Sequence, residues 1–394
     1  MTGKIAIVGA GPSGCYLAQA LLKADPTLEV DVLDALPVPY GLLRYGVAAD
    51  HQGTKGIARQ FERVFTRQGA RFHGNIDVGR DMPLETLREG FDAVVLAAGL
   101  SGDRSLGIPG DTLPGIVGSG ALTRALNEHP AAEALPELGP EPMIIGGGNV
   151  AMDILRLLSK TPAELAGSDL GPGPTEWLAR QRFRKITLVS RSPLAAARFD
   201  PAMLKEIVRL SGIALEISDS QPVPPDLLAE HVPGALPVLL NFATVPTSIA
   251  PAAQGLDVTV EGSAGPRVLQ ASAIVTAIGF DHAGGLDRAG LLRECGAATR
   301  LAPGLYATGW FANGPSGAIP KARADAQTVA ARLLAELRPD PARPGAALLA
   351  SHEAKVDFSH WERIDARERA AATADRCRRK LTLTEILDMK DMDA

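Results

Sequence analysis

Two stretches of this 394-residue chain place glycines where a backbone can cradle a pyrophosphate: IAIVGAGPSG, from Ile5 to Gly14, and MIIGGGNVA, from Met143 to Ala151. Each ends an apolar run containing β-branched residues and opens a helix. In the first turn Gly9 and Gly11 allow a tight bend and close approach of an anion, and Gly14 lets helix and strand touch, with Ser13 between them. In the second, Gly146 and Gly148 have the same duties, Asn149 and Val150 begin the helix, and small Ala151 fills the last place. Unpaired amides at a helix start then face the anion. Two such turns in one chain specify two dinucleotides, the equipment of a flavoenzyme that takes hydride from nicotinamide.

The elements around these turns are the ones such a site needs. Lys4 to Val8 reads as strand, Ser13 to Ala24 as helix and Leu28 to Asp34 as a second strand, a βαβ unit. Asp34 lies twenty residues past Gly14, the spacing at which a carboxylate accepts hydrogen bonds from the adenosine ribose. FDAVVLAAG runs from apolar strand into Gly99, where backbone must pass close to a bound cofactor. Near-copies of that ending recur in AIVTAIG (Ala273 to Gly279) and GLYATG (Gly304 to Gly309). The expected fold is α/β, with two Rossmann-like three-layer dinucleotide-binding domains, the second inserted into the first. Residues 1–108 and 305–394 form the FAD-binding domain, and residues 109–304 the NAD(P)H-binding one. Ser159 to Arg184 reads as a loop excursion. The charged, alanine-rich tail from Ala366, ending RCRRKLTLTEILDM, reads as a solvated helix with a basic turn.

Composition excludes several classes. A net charge of −5 leaves no electrostatic footprint for nucleic acid or anionic lipid. The first strand starts too early for a secretory leader, and no run has the hydrophobicity of a spanning helix. A cytoplasmic protein is expected, as a monomer or weak dimer. Cys15, Cys295 and Cys377 form no C-x-x-C pair and no metal-ligand spacing, so no metal is expected and no dithiol relay is available. Electrons must leave the flavin directly.

ALPVPYGLLRYGVAADHQGTK (Ala35 to Lys55), GNVAMDILRLL (Gly148 to Leu158), GLYATGWFANGPSGAIPKARADAQ (Gly304 to Gln327) and FSHWERIDARE (Phe358 to Glu368) together resemble the adrenodoxin reductase and FprA-type ferredoxin-NADP reductases. These belong to the glutathione reductase structural class but lack its redox disulfide. The resemblance covers nearly the whole chain, in order. It implies FAD and NADPH as cofactors, and a ferredoxin or similar one-electron carrier as partner. It further implies that Ser13, Asp34, Leu42 and Ile76 hold the FAD adenosine and pyrophosphate. Trp310 and Gly317, Ala318 and Ile319 would lie against the isoalloxazine ring. His51, Asp153 and Glu206 would line the nicotinamide pocket, orienting the carboxamide or relaying protons.

The second glycine turn bears on the choice of coenzyme. A site for NAD usually ends its second strand in a carboxylate that binds the ribose diol. Here Lys185 to Ser190 is followed by Arg191 and Ser192, so no acid repels a 2'-phosphate and Arg191 is placed to pair with one. Family members typically carry two adjacent arginines there. Arg198 is the candidate replacement for the missing one, and Met203 stands where the family usually has a glutamate. NADPH is therefore expected over NADH.

A second departure concerns the acceptor. Ferredoxins are acidic and their reductases offer basic docking surfaces. The stretch Leu210 to Pro266, which aligns with part of that surface, contains no Lys or Arg. Replacement patches are expected at Arg376, Arg378, Arg379 and Lys380, or at Arg182, Arg184 and Lys185. The same loss leaves open a flavin oxidoreductase acting on a small organic substrate or oxygen, and a nucleotide-bound protein with negligible turnover.

Overall fold

The computed structural model describes residues 2–224, 227, 234–263, 265–293, 299–315, 317, 319–350, 352 and 356–391. Ala318 and Cys295 lie outside them. Two six-stranded sheets organise the chain. The first has the order Arg300–Ala302, Leu305–Ala307, Ala93–Leu96, Lys4–Val8, Glu29–Leu33, Arg71–His73, and every neighbouring pair is parallel except the first. The second, all parallel, runs Ile116–Gly118, Ile274–Thr276, Met143–Ile145, Ile186–Val189, Leu236–Asn241, Ile213–Ser218. Central strands of parallel sheets are covered on both faces and so read as continuous apolar runs. Ile5, Ile7, Met143 and Ile144 are accordingly buried.

Sheet order also locates the crossings between the two units. Gly102–Asp103 pairs antiparallel with Phe280–Asp281, so the chain leaves the first unit and returns to it side by side. Arg300–Ala302 already belongs to the first sheet, which puts the return ahead of the expected boundary at residue 304. The reason lies in the repeated endings. AIVTAIG supplies the strand of the second sheet beside its glycine turn, whereas GLYATG supplies a strand of the first. Between the strands of the second unit, Val245–Pro251, Leu256–Gly262 and Gly265–Ala271 form a small antiparallel sheet over Met143, Ile145 and Val189.

Two stretches read as solvated or irregular are built into the core. Pro172–Arg180, within the expected loop, is an α-helix with proline in its first turn, and it buries Trp177, whose Nε1 donates to the Pro136 carbonyl at 3.0 Å. The basic run of the tail is not a free patch either. Lys380 is buried with its ammonium 3.2 Å from Asp169, and Lys55 approaches the same carboxylate at 2.8 Å and Asn127 Oδ1 at 2.8 Å. Arg378 pairs with Asp365 at 2.8 Å, Arg379 with Glu385 at 3.1 Å, and Arg376 donates to the Leu165 carbonyl. Arg184 and Lys185 are taken up by Glu141. Burial of Lys380 requires a buried anion, and Asp169 comes from a distant part of the chain, out of reach of any local reading.

The tail is locked most firmly at Glu368, whose side chain has no solvent exposure and pairs bidentately with Arg44 at 2.5 and 2.9 Å while accepting the Leu381 amide at 2.8 Å. Arg44 lies over the Tyr45 and Trp361 rings as well. Removing one partner of a buried pair strands the other charge, so Glu368→Ala should cost about 3–5 kcal/mol of stability in denaturant unfolding. The pair also sets an acid limit. Burial works against ionised Glu368 and Asp169, but Arg44 in one case and Lys380 with Lys55 in the other outweigh it and hold both carboxyls below their usual range. The stability they contribute is therefore complete above about pH 4, the unfolded value, and is lost as pH falls through the depressed folded values. Denaturant midpoints measured between about pH 5 and pH 2 should fall steeply for the native protein, and less so for Glu368→Ala.

Candidate functional site

Both glycine turns sit at the carboxyl end of a central strand, where open α/β sheets bind ligands. Gly9 donates its amide to the Leu33 carbonyl at 2.7 Å, and a Cβ there would lie 2.4 Å from the Ala97 oxygen. Gly146 repeats the arrangement, with a bond of 2.9 Å to the Val189 carbonyl and the Ala277 oxygen 2.2 Å from its would-be Cβ. Both have positive φ, +112° and +156°. This explains the repeated endings, since Ala97 to Gly99 and Ala277 to Gly279 are the segments packed against the turns. Gly14 is closed by the Gly9 oxygen, 1.9 Å from a would-be Cβ.

Gly11 and Gly148 differ in kind. They precede the helices Pro12–Ala24 and Asn149–Ser159, neither start is capped by a side chain, and a Cβ on either would meet nothing within 4 Å. The space in front of these two helix starts is open, as a pyrophosphate requires. Gly309, at φ +61°, brings the second part of the first unit onto the turn, its would-be Cβ 2.0 Å from Ser13 Oγ. Beside it Thr308 Oγ1 is buried without a hydrogen-bond partner among the described residues. Gly99, at φ +69°, also faces open space.

Asp34 stands at the end of its strand as expected, but its carboxylate is already engaged. Oδ2 accepts the Ala10 amide at 2.8 Å and Oδ1 the Leu36 amide at 2.9 Å, stitching the glycine turn to the strand end. Burial raises its pKa to about 6 despite these bonds. Ile76 is buried in the core and bonds its amide to the Asp34 carbonyl, so only its backbone is placed near the site. Leu42 is 40% exposed, next to Gly41, which packs over Gly11. Trp310 is half-buried and stacked on Phe280 at 5.8 Å, at the crossing between units. Gly317 is exposed at φ +87°, and Ile319 opens the helix Ile319–Glu336.

The structure brings His51, Asp153 and Glu206 together. His51 Nδ1 is 3.3 Å from Asp153 Oδ1, and Nε2 is 3.6 Å from Glu206 Oε2. Three elements converge to do this. The turn bearing Asp50 and His51 comes from the first unit, yet its Ala48 and Ala49 are buried in the core of the second. Asp153 is on the helix Asn149–Ser159. Glu206 is on Pro201–Val208, and Asn149 Oδ1 clamps the two helices by accepting the Asp200 amide at 2.8 Å.

Beneath this half-exposed trio lies a layer that sequence reasoning missed. Arg156, with no solvent exposure, pairs with Asp50, with Asp153 at 2.8 Å and with Glu206 at 3.3 Å. Lys160 reaches Asp50 at 2.7 Å and Glu206 at 2.9 Å. The sequence signal was a guanidinium inside the apolar run ILRLL, with Asp153, Arg156 and Lys160 spaced along one helical face. Three carboxylates thus face two fixed cations beneath the imidazole. The acids flanking His51 are driven apart. Burial raises Asp153 beyond what Arg156 and His51 offset, whereas Lys160 and Arg156 overcome the burial of Glu206 and hold it low.

At the second turn, Arg198 donates its amide to the Gly147 carbonyl at 3.1 Å and bridges Gly148. Arg191 follows the neighbouring strand, and Ser190 Oγ lies 2.3 Å from a would-be Cβ on Gly147. Both guanidiniums are exposed, and neither has an ion-pair partner among the described residues. The Ser192 carbonyl accepts the Ala243 amide, Val150 packs on the second core, and Met203 does so too.

The chain is similar to known proteins over nearly its whole length. The chain is 39% identical to the cindoxin reductase of Citrobacter braakii, over 96% of this chain and 88% of that one. It is 30% identical to human mitochondrial NADPH:adrenodoxin oxidoreductase over 93% and 87%. Its structure superposes on that of Mycobacterium tuberculosis FprA in complex with NADPH with a TM-score of 0.87, at 30% identity, over 99% of both chains. Residues 3–216 match the family described as pyridine nucleotide-disulphide oxidoreductase, and the chain belongs to that family.

Proposed function

We propose that this protein is an NADPH-dependent flavoprotein reductase, located in the cytoplasm, that passes electrons through FAD to a ferredoxin-type carrier. One observation carries the reading: two open glycine turns, one per unit, with His51 of the first unit held between Asp153 and Glu206 of the second. Bound FAD would supply the chemistry that accepts a hydride and releases single electrons.

The protein's own residues bind, orient and hold protons. Gly11 with the start of helix Pro12–Ala24 takes the FAD pyrophosphate, and Thr308 Oγ1 supplies an unspent hydrogen-bonding group nearby. Gly148 with the start of helix Asn149–Ser159 takes that of NADPH. Arg191 and Arg198 flank the 2'-phosphate. Asp153, raised by burial, is suited to hold a proton, and Glu206 remains an anion that orients His51. Arg156 and Lys160 act as positioning residues from below.

A second reading, turnover of a small organic substrate or oxygen, is favoured by the absence of Lys and Arg from Leu210 to Pro266. Carrier-dependent reduction of cytochrome c separates the two.

Purified protein should be yellow, and anaerobic NADPH should bleach its flavin absorbance. Colourless protein that takes up no flavin defeats the proposal. Arg191→Ala and Arg198→Ala should each weaken NADPH by roughly 1.5–3 kcal/mol, tenfold to over a hundredfold in KM, with NADH use unchanged. Equal losses with both coenzymes would show that the 2'-phosphate is read elsewhere. Arg156→Gln removes the cation shared by three carboxylates, so the acid limb of the rate of NADPH-driven flavin bleaching should move up by about 1 pH unit. An unmoved limb would exclude Arg156 from setting their ionisation.

A further inference from the structure

The basic runs noted in the sequence are largely paired with carboxylates or backbone carbonyls, whereas other cations are not. Helix Ala58–Thr66 buries Phe61, Val64 and Phe65, and on its other face carries Arg59 and Arg63, with Arg67 at its end. Spaced four apart, the three lie within one narrow sector of the helix. All are exposed, and none has an ion-pair or hydrogen-bonded side-chain partner among the described residues. Like charges four apart on a helix repel one another, so the stripe is an unrelieved cost to the isolated helix. Glu62, the only acid of the helix, is half-buried and adds to the burial that raises the Tyr40 hydroxyl.

Two of the neighbouring helices extend the positive face. Helix Pro12–Ala24 packs against this helix through Tyr16 on Phe61, ring centroids 4.8 Å apart, and through Gln19 to Gln60 at 2.9 Å. It has no acidic residue. On its far side is helix Ile319–Glu336, whose exposed Arg323 lies close enough to act on the Tyr16 hydroxyl. The three helices each follow a parallel strand of the first sheet and therefore all start at its carboxyl edge, where the first glycine turn opens. Arg59 and Arg323, both in first or second turns, lie at that end.

We propose that this face, with Arg59, Arg63 and Arg67 at its centre, docks an acidic one-electron carrier protein. The proposal rests on the reductase reading above and supplies the surface that Leu210 to Pro266 lacks. From Arg59 to Arg67 the stripe spans about 12 Å. That is short for a nucleic-acid track on a chain of net charge −5, and suited to the acidic patch of a small protein.

The test compares the holoprotein with R59E/R63E/R67E, all surface changes, in two assays: NADPH-driven reduction of a small quinone, and cytochrome c reduction mediated by a flavodoxin or a [2Fe–2S] ferredoxin of net negative charge. Quinone reduction should be unchanged. The KM for the carrier should rise about tenfold or more, and its dependence on ionic strength should flatten. A carrier KM and salt slope equal to those of the native protein would overturn the docking surface while leaving the reductase reading intact. If the native protein reduces quinone but transfers to neither carrier, the reductase reading itself fails, and this surface with it.

Discussion

A methyl group on Gly9, Gly14 or Gly146 has nowhere to go, and the remainder of the molecule follows from that constraint. Backbone oxygens of Ala97, Ala277 and, within the first turn itself, Gly9 stand 1.9–2.4 Å from the three missing Cβ atoms. Strand, turn and following helix can pack this closely only if those side chains are absent. The same closeness leaves the helix-start amides at Gly11 and Gly148 facing open space. Steric exclusion at one set of glycines thus creates the vacancy at the next. Because both units use this device at Gly9 and Gly146, the Ala97 and Ala277 segments serve as matching walls.

What joins the units is electrostatic. The turn with Asp50 and His51 carries charge from the first unit into the second, where Arg156 is buried too deeply to be solvated by water. A guanidinium in that position needs carboxylates. Those it has are the ones that flank His51, so the group that secures the inter-unit contact also favours the charged forms of Asp153 and Glu206. Stability and chemistry are coupled through one side chain. On the opposite side of the same loop, Lys55, Asp169 and Lys380 repeat the device and bring in the tail.

The parts of this architecture that were legible in the sequence are those governed by local rules. Glycine spacing, strand endings and the βαβ unit depend on a few consecutive residues, and they stand where the pattern put them. His51, Asp153 and Glu206 were reachable only through family resemblance, because 102 residues separate His51 from Asp153 and no local rule brings them together. Arg156 and Lys160 announced themselves only as charges in an apolar helix. RCRRK misled for the opposite reason. Its look of solvated positive charge was reasonable, and nothing nearby signalled that Asp169 and Glu368 would bury it.

Charge economy then bears on how electrons leave. The family name refers to disulphide reduction, yet Cys15 is buried with its thiol against the Ala10 carbonyl and Cys377 sits alone in the tail, so no dithiol stands beside the glycine turns among the described residues. Burial raises the Cys15 pKa strongly, with Asp34 adding to it, which keeps that sulfur a thiol and an inert packing group. Neither described sulfur is placed to carry electrons onward from the first glycine turn. Many cations of the basic runs in the tail and the second unit are paired with carboxylates. Among the described residues the uncommitted ones include Arg191 and Arg198 at the second glycine turn and the helix Ala58–Thr66 stripe on the first unit. On the reading proposed above, a coenzyme phosphate and an acidic protein would meet separate positive surfaces, one on each unit.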